Sequence, residues 1–254
     1  MNAKSKEFPV LMVTGGNRGI GRAVALAAAA ARYRIAFTYR SDQQAAEKTV
    51  AAIESLGSEA IAVYADVARQ DDVRAAFASA KERFGRLDAL VNNAGIIGEP
   101  RSIIDVDEQH LDLVFRTNVF GAFYCVAEAV RQMSKQAGGE GGVIVNVSSA
   151  AARHGGMPQE AHYASSKGAI DSLTLSLAKE LAPMGIRVNA IRPGLIDTAI
   201  HSIHGGDEAI RRMAPTVPLG RAGTAQEVAD TVLFLLQDKS SYIHGALIDI
   251  SGGR

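Results

Sequence analysis

Tyr163 and Lys167 lie four residues apart, a spacing that puts two side chains on one face of a helix. A phenol with a pKa of about 10 is a poor base at neutral pH, but a nearby ammonium stabilises the phenolate. Such a pair can therefore exchange a proton with a substrate. By itself, the spacing is equally typical of a surface pair on an amphipathic helix.

Two serines could take part in the same chemistry. Ser148 and Ser149 follow the apolar, strand-like residues 143–147, and Ser149 precedes Tyr163 by fourteen positions. A serine at this place could donate a hydrogen bond to a substrate carbonyl or alkoxide. The alternative is a serine that caps the turn at the end of its own strand.

A glycine-rich turn follows the first apolar run at residues 10–14. It reads Thr-Gly-Gly-Asn-Arg-Gly-Ile-Gly from Thr14 to Gly21. Glycines allow a sharp turn and a close backbone approach to a pyrophosphate, and the N-terminus of the next helix attracts phosphate. An ordinary strand–helix turn can also be rich in glycine. We predict dinucleotide binding because this turn lies between the first strand and the first helix of the alternating pattern.

The pattern of the whole chain should bring these residues together. Strand-like runs alternate with helical patterns; the strands are predicted at 10–14, 34–39, 59–64, 87–91, 142–147, 186–191 and 246–250, and the helices at 19–32, 42–56, 71–84, 107–135, 162–181 and 225–237. This predicts a Rossmann-like α/β fold: a doubly wound parallel sheet of about seven strands with helices on both faces, in one domain over residues 1–254. Such sheets bind ligands beyond the carboxyl ends of their strands, where the glycine turn and the serines fall.

With Asn92-Asn93-Ala94-Gly95 after the fourth strand, these motifs resemble the short-chain dehydrogenase/reductase family, whose T-G-x-x-x-G-x-G turn matches Thr14 to Gly21. The resemblance runs from Thr14 to about Gly253 and implies a nicotinamide-dependent oxidoreductase. It implies four catalytic residues, Asn118, Ser149, Tyr163 and Lys167, with Ser148 as the second choice of serine. Asn118 would hold a water in a relay to Lys167, or would be a buried asparagine satisfied by a neighbouring helix.

The motifs and the resemblance also imply a set of cofactor contacts. They are Gly15, Asn17, Arg18, Gly19, Ile20, Arg40, Asp66, Val67, Asn92, Ala94, Gly95, Tyr163, Lys167, Pro193, Gly194, Ile196 and Thr198. Some of these positions have other interpretations. Asn92 and Ala94 could lie near the adenosine or brace the central sheet, and Asp66 could cap a turn instead of contacting adenine. For Asn93, within the same motif, the alternative is a turn-forming asparagine at the end of the strand.

The second strand bears on the choice of cofactor. It ends Thr-Tyr-Arg-Ser, without the terminal acid that usually binds the ribose of NAD. Arg40, aided by Arg18, could pair with a 2′-phosphate, which favours NADP(H) over NAD(H). Both arginines could instead be solvated, and Asp42 would favour NAD if it turned inward.

The resemblance implies a mechanism in which a hydride moves between NADP(H) and a carbonyl/alcohol pair. Tyr163 would protonate the developing alkoxide, Ser149 would stabilise it, and Lys167 would lower the Tyr163 pKa. A non-catalytic dinucleotide-binding sensor or scaffold on the same fold is the alternative.

Substrate contacts are expected from residues 95–104, 150–160 and 195–215, the last as a loop that closes over the ligand. Candidate contacts are His154, Met157, Glu160, His162, Ile200, His201 and Met213. They mix polar and apolar types and so leave the substrate open. His201 and His204 are expected to be solvated, and no metal site is predicted.

Composition narrows the partners. Lys plus Arg and Asp plus Glu both number 27, which argues against a nucleic-acid or anionic-membrane binder and weakly favours a homo-oligomer. The C-terminal region resembles a family segment that often forms tetramer contacts, so a tetramer is favoured, with a dimer possible. A polar N-terminus, a single cysteine (Cys125, expected in the core) and the lack of a run of about 18 apolar residues predict a cytoplasmic protein.

Overall fold

A computed structural model describes residues 8–200 and 205–254. Seven strands form one parallel sheet in the order β3-β2-β1-β4-β5-β6-β7. The strands are β1 (Val10–Val13), β2 (Arg34–Tyr39), β3 (Ala60–Tyr64), β4 (Ala89–Asn92), β5 (Gly142–Val147), β6 (Ile186–Pro193) and β7 (Leu247–Ile250). The order reverses between β1 and β4, which confirms the doubly wound sheet and puts a switch point beside the glycine turn.

Helices cover both faces of this sheet. They are α1 (Gly19–Ala30), α2 (Gln43–Ser55), α3 (Gln70–Phe84), α4 (Glu108–Phe115), α5 (Gly121–Met133), α6 (Ala151–His154), α7 (Ala161–Leu181), α8 (Asp207–Met213) and α9 (Ala225–Leu236). Successive residues of a strand point to opposite faces, so Met12 packs with α3, α5 and α7 while Leu11 and Val13 pack with α1, α2 and α9. Burial of both faces explains why the central strands are apolar throughout.

A π-helical turn, Arg116–Phe120, joins α4 to α5 within one continuous helix. The sequence predicts a single helix at 107–135, and the π turn falls around Asn118, whose amide is bonded to the backbone of Ile96. Glu108–Met133 is long and apolar enough to span a membrane, although it contains no uninterrupted run of about 18 apolar residues. Half of its most apolar segment is buried inside the protein, as is typical of the core helix of a soluble protein. Cys125 is buried in this helix, as expected.

The sequence missed two short helices, both near the carboxyl end of the sheet. The first is α6, directly after the two serines, and the second is α8, inside the loop predicted at 195–215. Other differences are small: β4 begins at Ala89, and β6 continues to Pro193. A proline can end a strand because its carbonyl still pairs, and Gly194 then bonds to Ile250.

Candidate active site

The turn between β1 and α1 requires glycine for two reasons: some of its residues have positive φ angles, and one has no room for a side chain. Gly15 and Gly19 have φ angles of +66° and +53°, which L side chains rarely adopt. A Cβ on Gly21 would stand 2.2 Å from the Gly15 carbonyl oxygen and 2.6 Å from Nδ2 of Asn93. The turn therefore depends on glycine for its conformation and for the close packing of α1.

Two neighbouring strand ends are tied together beneath this turn. Oγ1 of Thr14 accepts hydrogen bonds from the backbone N–H of Asn93 at 2.9 Å and of Ala94 at 2.8 Å. The Asn93 amide donates to the carbonyls of Thr14 and Gly15. Asn93 also lines the cleft, although it was not among the cofactor contacts expected from the sequence; its place within the N-N-A-G motif was the available signal.

Asn92, an expected cofactor contact, has its side chain bonded within the protein. Its Nδ2 donates to the carbonyl of Ala122 at 3.1 Å and lies 3.4 Å from Oδ1 of Asn146. Asn92 does not line the cleft, because alternation along β4 turns its side chain into the sheet–helix interface. Of the two interpretations, bracing of the central sheet is the one that this geometry matches.

A first cleft of about 1000 Å³, its open mouth included, lies over the glycine turn. It gathers most of the residues predicted to touch the dinucleotide: Gly15, Asn17, Arg18, Gly19, Ile20, Arg40, Asp66, Val67, Ala94, Gly95 and Thr198. Residues not predicted also line it, including Thr38, Ser41 and Ile96. The cleft extends along the carboxyl ends of the strands, from β3 and β2 to β4.

The far end of this cleft carries Arg40 and Asp66. Arg40 is half exposed, and its Nη1 lies 3.8 Å from Oδ2 of Asp66, too far for a hydrogen bond. Asp66 Oδ1 accepts from the N–H of Ala68, so the turn-capping interpretation holds alongside a place in the cleft. Asp42 has a φ of +61°, and its carboxylate accepts from the N–H of Ala45, so it caps α2 instead of turning inward.

The catalytic candidates meet at a second cleft, at the end of β5 and the start of α7. Ser149, Tyr163 and Lys167 all line it, and the Ser149 side chain, whose Oγ accepts from the N–H of Ala151 at 3.1 Å, favours the Tyr163 phenolate. Nζ of Lys167 donates to the Val147 carbonyl at 2.8 Å and lies 5.9 Å from the centre of the Tyr163 ring. Ser148 is buried, and its Oγ donates to the Lys167 carbonyl, so it holds α7 on β5.

Burial controls the protonation of the pair. It raises the pKa of Tyr163 to about 12, opposed by the Ser149 hydrogen bond and reinforced by the charge of Glu160. Burial also lowers the pKa of Lys167 to about 8, opposed by the charge of Asp171. From the sequence, Lys167 was expected to lower the Tyr163 pKa. Desolvation by the surrounding protein instead raises it, and the phenol is protonated at neutral pH.

Asn118 is buried and nearly saturated by protein partners. Its Oδ1 accepts from the N–H of Ile96 at 2.8 Å, and its Nδ2 donates to the Ile96 carbonyl at 2.8 Å and to Ser166 Oγ at 2.9 Å. A Cβ on Gly95 would stand 3.2 Å from Asn118 Oδ1 and 3.3 Å from Lys167 Nζ. One lone pair of Oδ1 thus remains for a relay towards Lys167, beside a glycine that leaves space for it.

The segment after β6 closes the second cleft. Pro193, Gly194, Ile196 and Thr198 line it, together with the predicted substrate contacts His154, Met157, Glu160, Ile200 and Met213. His201 and His204 lie outside the described residues.

His162, a predicted substrate contact, lies away from the second cleft. Its Nε2 lies 3.1 Å from the Ile97 carbonyl, and its ring packs edge-on against His110 with centroids 4.3 Å apart. It follows Ala161 at the start of α7 and is adjacent to Tyr163, so the helix turns it to a different face from the catalytic tyrosine. His162 is buried beside α4 and does not line the cleft.

The residues present fit a nicotinamide dinucleotide. The turn has a glycine cradle, and the first turn of α1 has neither an acidic residue nor a side-chain cap to compete for its N–H groups. The two clefts adjoin, sharing Ile20, Asn93, Gly95, Thr198 and Ile200, so one extended ligand could reach from Arg40 to Tyr163. Within residues 8–200 and 205–254, no group of three or more His, Cys, Asp or Glu is placed to hold a metal.

Comparison with known proteins agrees with this geometry. Residues 15–254 match the family model described as Enoyl-(Acyl carrier protein) reductase. The uncharacterized oxidoreductase YgfF of Escherichia coli strain K12 is 42% identical over 245 residues, which cover 96% of this chain and 99% of YgfF. The 3-oxoacyl-[acyl-carrier-protein] reductase FabG of Staphylococcus aureus strain Mu50 is 39% identical over 242 residues, 95% of this chain and 96% of FabG.

A solved structure shares the fold throughout. The 3-ketoacyl-(acyl-carrier-protein) reductase of Brucella melitensis, complexed with NADH, superposes with a TM-score of 0.89 at 32% identity, covering 98% of this chain and 99% of that one. The chain therefore belongs to the short-chain dehydrogenase/reductase family, and it is a nicotinamide-dependent oxidoreductase that acts on CH–OH or carbonyl groups.

Proposed function

We propose that this enzyme reduces a small carbonyl compound, or oxidises the matching alcohol, with NADP(H) as cofactor and Tyr163 as the general acid/base. The observation that carries the proposal is the position of Tyr163. Tyr163 lines the second cleft together with Ser149 and Lys167, and that cleft adjoins the first. The bound cofactor would supply or accept the hydride.

In the reducing direction, the chain's own residues would handle the proton and the developing charge. Ser149 donates a hydrogen bond to the substrate oxygen, which stabilises negative charge as it forms there. Tyr163 gives its proton to the same oxygen, and its pKa of about 12 keeps that proton available at neutral pH. Lys167, held by the Val147 carbonyl, stabilises the phenolate left behind, and Asn118 connects the site to a proton supply.

The preference for NADP(H) rests on the end of β2. Arg40 lines the first cleft, is half exposed and has no hydrogen-bonded carboxylate, so its guanidinium is available to a 2′-phosphate. Asp42, the acid that would favour a free ribose hydroxyl, is engaged in capping α2. Family membership alone does not choose the cofactor, because the Brucella relative is complexed with NADH.

A sensor or scaffold without activity is not favoured, because Ser149, Tyr163 and Lys167 are brought to one cleft. The names of two relatives make 3-oxoacyl esters one substrate class to try, beside sugars, quinones and small ketones. Closure of the segment at 195–215 over the substrate, assembly as a tetramer or dimer, and a cytoplasmic location stay predictions.

A panel of carbonyls and alcohols tests the proposal, with NADPH/NADP⁺ and NADH/NAD⁺ followed by absorbance. We expect turnover of at least one substrate, and Tyr163→Phe should reduce kcat by about 100- to 10,000-fold while nicotinamide-fluorescence titration shows unchanged cofactor binding. Tyr242→Phe, a change of the same size at a fully exposed residue outside both clefts, serves as the matched control. Full activity of Tyr163→Phe on a turned-over substrate would contradict the mechanism.

A further inference from the structure

A pair of buried histidines lies behind the wall of the second cleft, and the proposed mechanism uses neither of them. His110, on α4, and His162, on α7, are only 6% and 3% exposed. Their rings meet edge-on, with centroids 4.3 Å apart and an interplanar angle of 83°. Nε2 of His110 and Nδ1 of His162 are buried without a hydrogen-bond partner among the described residues. Because an unsatisfied buried polar atom is costly, this arrangement points to a role beyond packing.

The protonation state of His162 follows from its one hydrogen bond. Its Nε2 lies 3.1 Å from the carbonyl oxygen of Ile97, and a carbonyl can only accept, so Nε2 carries a hydrogen. In the neutral ring Nδ1 is then bare, which suits an atom with no partner in residues 8–200 and 205–254. A second proton on Nδ1 would create a buried N–H and a buried positive charge, neither of them compensated. The site therefore fits neutral His162 and does not fit the protonated form.

The groups around His162 add to this preference. Burial, the largest cause, and the neighbouring His110 lower the pKa of His162; its hydrogen bond to the backbone and the charge of Glu160 raise it, and the charge of Arg101 lowers it. Arg101, in the loop after β4, donates at 2.7 Å to Asp107, which caps α4. Because burial outweighs the other causes, His162 is neutral at pH 7 and takes up a proton only below pH 6.5, the ordinary pKa of a histidine.

The Ile97 carbonyl belongs to the segment that separates the two clefts. Ile96 lines the first cleft and Ile97 lines the second. Asn118 holds both the N–H and the carbonyl of Ile96, at 2.8 Å each, whereas His162 holds the carbonyl of Ile97. A Cβ on Gly98 would stand 3.3 Å from Nε2 of His162, so the chain passes close to this ring. The two clefts therefore have separate anchors on adjacent residues.

We propose that neutral His162 is a positioning residue that fixes the Ile97 side of the second cleft, and that its protonation in acid loosens this wall. A protonated ring has to turn until Nδ1 reaches water or an acceptor, and this movement weakens the bond from Nε2 to the Ile97 carbonyl. The effect should fall on the substrate and spare the cofactor, because Ile96 keeps its two bonds to Asn118. This inference rests on the proposed function, since it concerns the same cleft.

Two variants of His162 separate the hydrogen bond from the titration. His162→Leu removes the donor, so it should raise KM for the carbonyl substrate by about tenfold at neutral pH and change KM for NADPH by less than about twofold. His162→Gln places an amide donor where Nε2 stood and should keep both KM values near those of the unaltered enzyme. Between about pH 7 and about pH 5, KM for the carbonyl should rise by at least about threefold in the unaltered enzyme and stay level in His162→Gln.

His110→Phe is the matched control, because it removes the other titratable ring and keeps an aromatic side chain against His162. The acid rise of KM should persist in this variant. A rise that disappears in His110→Phe but survives in His162→Gln would overturn the proposal, and so would equal increases of KM for substrate and cofactor in His162→Leu. If His162→Leu does not fold, as circular dichroism would show, the comparison of His162→Gln with His110→Phe decides.

A second readout needs no turnover. The N–H of Gly98 shares a peptide group with the Ile97 carbonyl, so its NMR signal reports on the hydrogen bond from His162. Labelling isoleucine with ¹³C at the carbonyl and glycine with ¹⁵N selects two peptide groups, because Ile-Gly occurs only at Ile20–Gly21 and Ile97–Gly98. The Gly98 signal should move as the pH falls below 6.5 in the unaltered protein and in His110→Phe, and stay in place in His162→Gln.

The two readouts distinguish the ways in which the reasoning can fail. If no carbonyl of the panel is reduced, the proposed function fails, and the NMR titration tests His162 by itself. A Gly98 signal that does not respond to pH, or that responds equally in His162→Gln, would refute the hold of His162 on the cleft wall.

Discussion

Replacement of Arg192 by methionine should destabilise the protein, because it removes an ion pair between β6 and α7, the helix that carries Tyr163 and Lys167. Arg192, on β6, donates from Nε at 3.0 Å and from Nη2 at 2.7 Å to Oδ2 of Asp171, on α7 one turn after Lys167. The two side chains are only 17% and 11% exposed, and Asp171 Oδ1 is buried without a hydrogen bond. Asp249, 3.8 Å from Arg192, is a weaker second partner.

The size of the effect follows from burial. Removing one partner of a buried ion pair leaves an uncompensated charge and costs about 3–5 kcal/mol. The residual exposure of this pair puts the expected loss near the lower end, about 3 kcal/mol. For a chain of this length, each kcal/mol lowers Tm by about 2–4 °C, so we expect Arg192→Met to lower it by about 6–12 °C. Asp249→Asn, the matched control, should change Tm by less than about 2 °C.

Differential scanning fluorimetry measures these shifts, and a double variant separates pair energy from packing. Asp171→Leu combined with Arg192→Met removes both charges and should recover most of the loss. The reasoning is refuted if Arg192→Met and Asp249→Asn shift Tm equally, or if the losses of the single variants simply add in the double variant.

Asp171→Asn should also change the pH dependence of activity. Because the charge of Asp171 raises the Lys167 pKa, its removal should move the alkaline decline of carbonyl reduction to lower pH.

Two further predictions concern cofactor choice and pH. Arg40→Ala should raise KM for NADPH by about tenfold while leaving KM for NADH nearly unchanged, because it removes one charge-assisted hydrogen bond to a phosphate that only NADPH carries. Steady-state kinetics with both cofactors measures the two KM values, and Arg69→Ala, on the neighbouring exposed surface, is the control. Equal increases of KM for both cofactors would count against the NADP assignment. Carbonyl reduction should be level from about pH 6 to about pH 7 and fall to about half near pH 8 as Lys167 loses its proton. Alcohol oxidation needs the Tyr163 phenolate and should rise by up to about tenfold per pH unit between about pH 6 and about pH 8; an oxidation rate independent of pH there would mean that another group takes the proton.

Local motifs were enough to predict the fold and the family. The alternation of apolar runs and helical patterns predicts a doubly wound sheet because period and connection length are properties of short segments. The glycine turn predicts a phosphate cradle for the same reason, since its conformation depends on residues that are adjacent in sequence. Tyr163 and Lys167 could be paired from their spacing alone because one helix carries both.

Contacts between distant segments decided what the motifs left open. The resemblance put Ser149 ahead of Ser148, but only the geometry shows that Ser148 is engaged by the Lys167 carbonyl while Ser149 is left to act on Tyr163. Asp42 and Asn92 looked available to a cofactor until α2 and α5 were found to use them. Asn118, within the π turn, likewise bonds to Ile96, from another part of the chain.

The protonation of the site also belongs to the tertiary structure. Spacing suggested a tyrosine made acidic by its lysine, whereas burial raises the Tyr163 pKa and lowers the Lys167 pKa. Desolvation, and the fields of Glu160 and Asp171, depend on how much protein surrounds each group and which charges it brings near. Sequence therefore determined which chemical groups are present and on which elements they lie; packing determined their orientation, their partners and their charge.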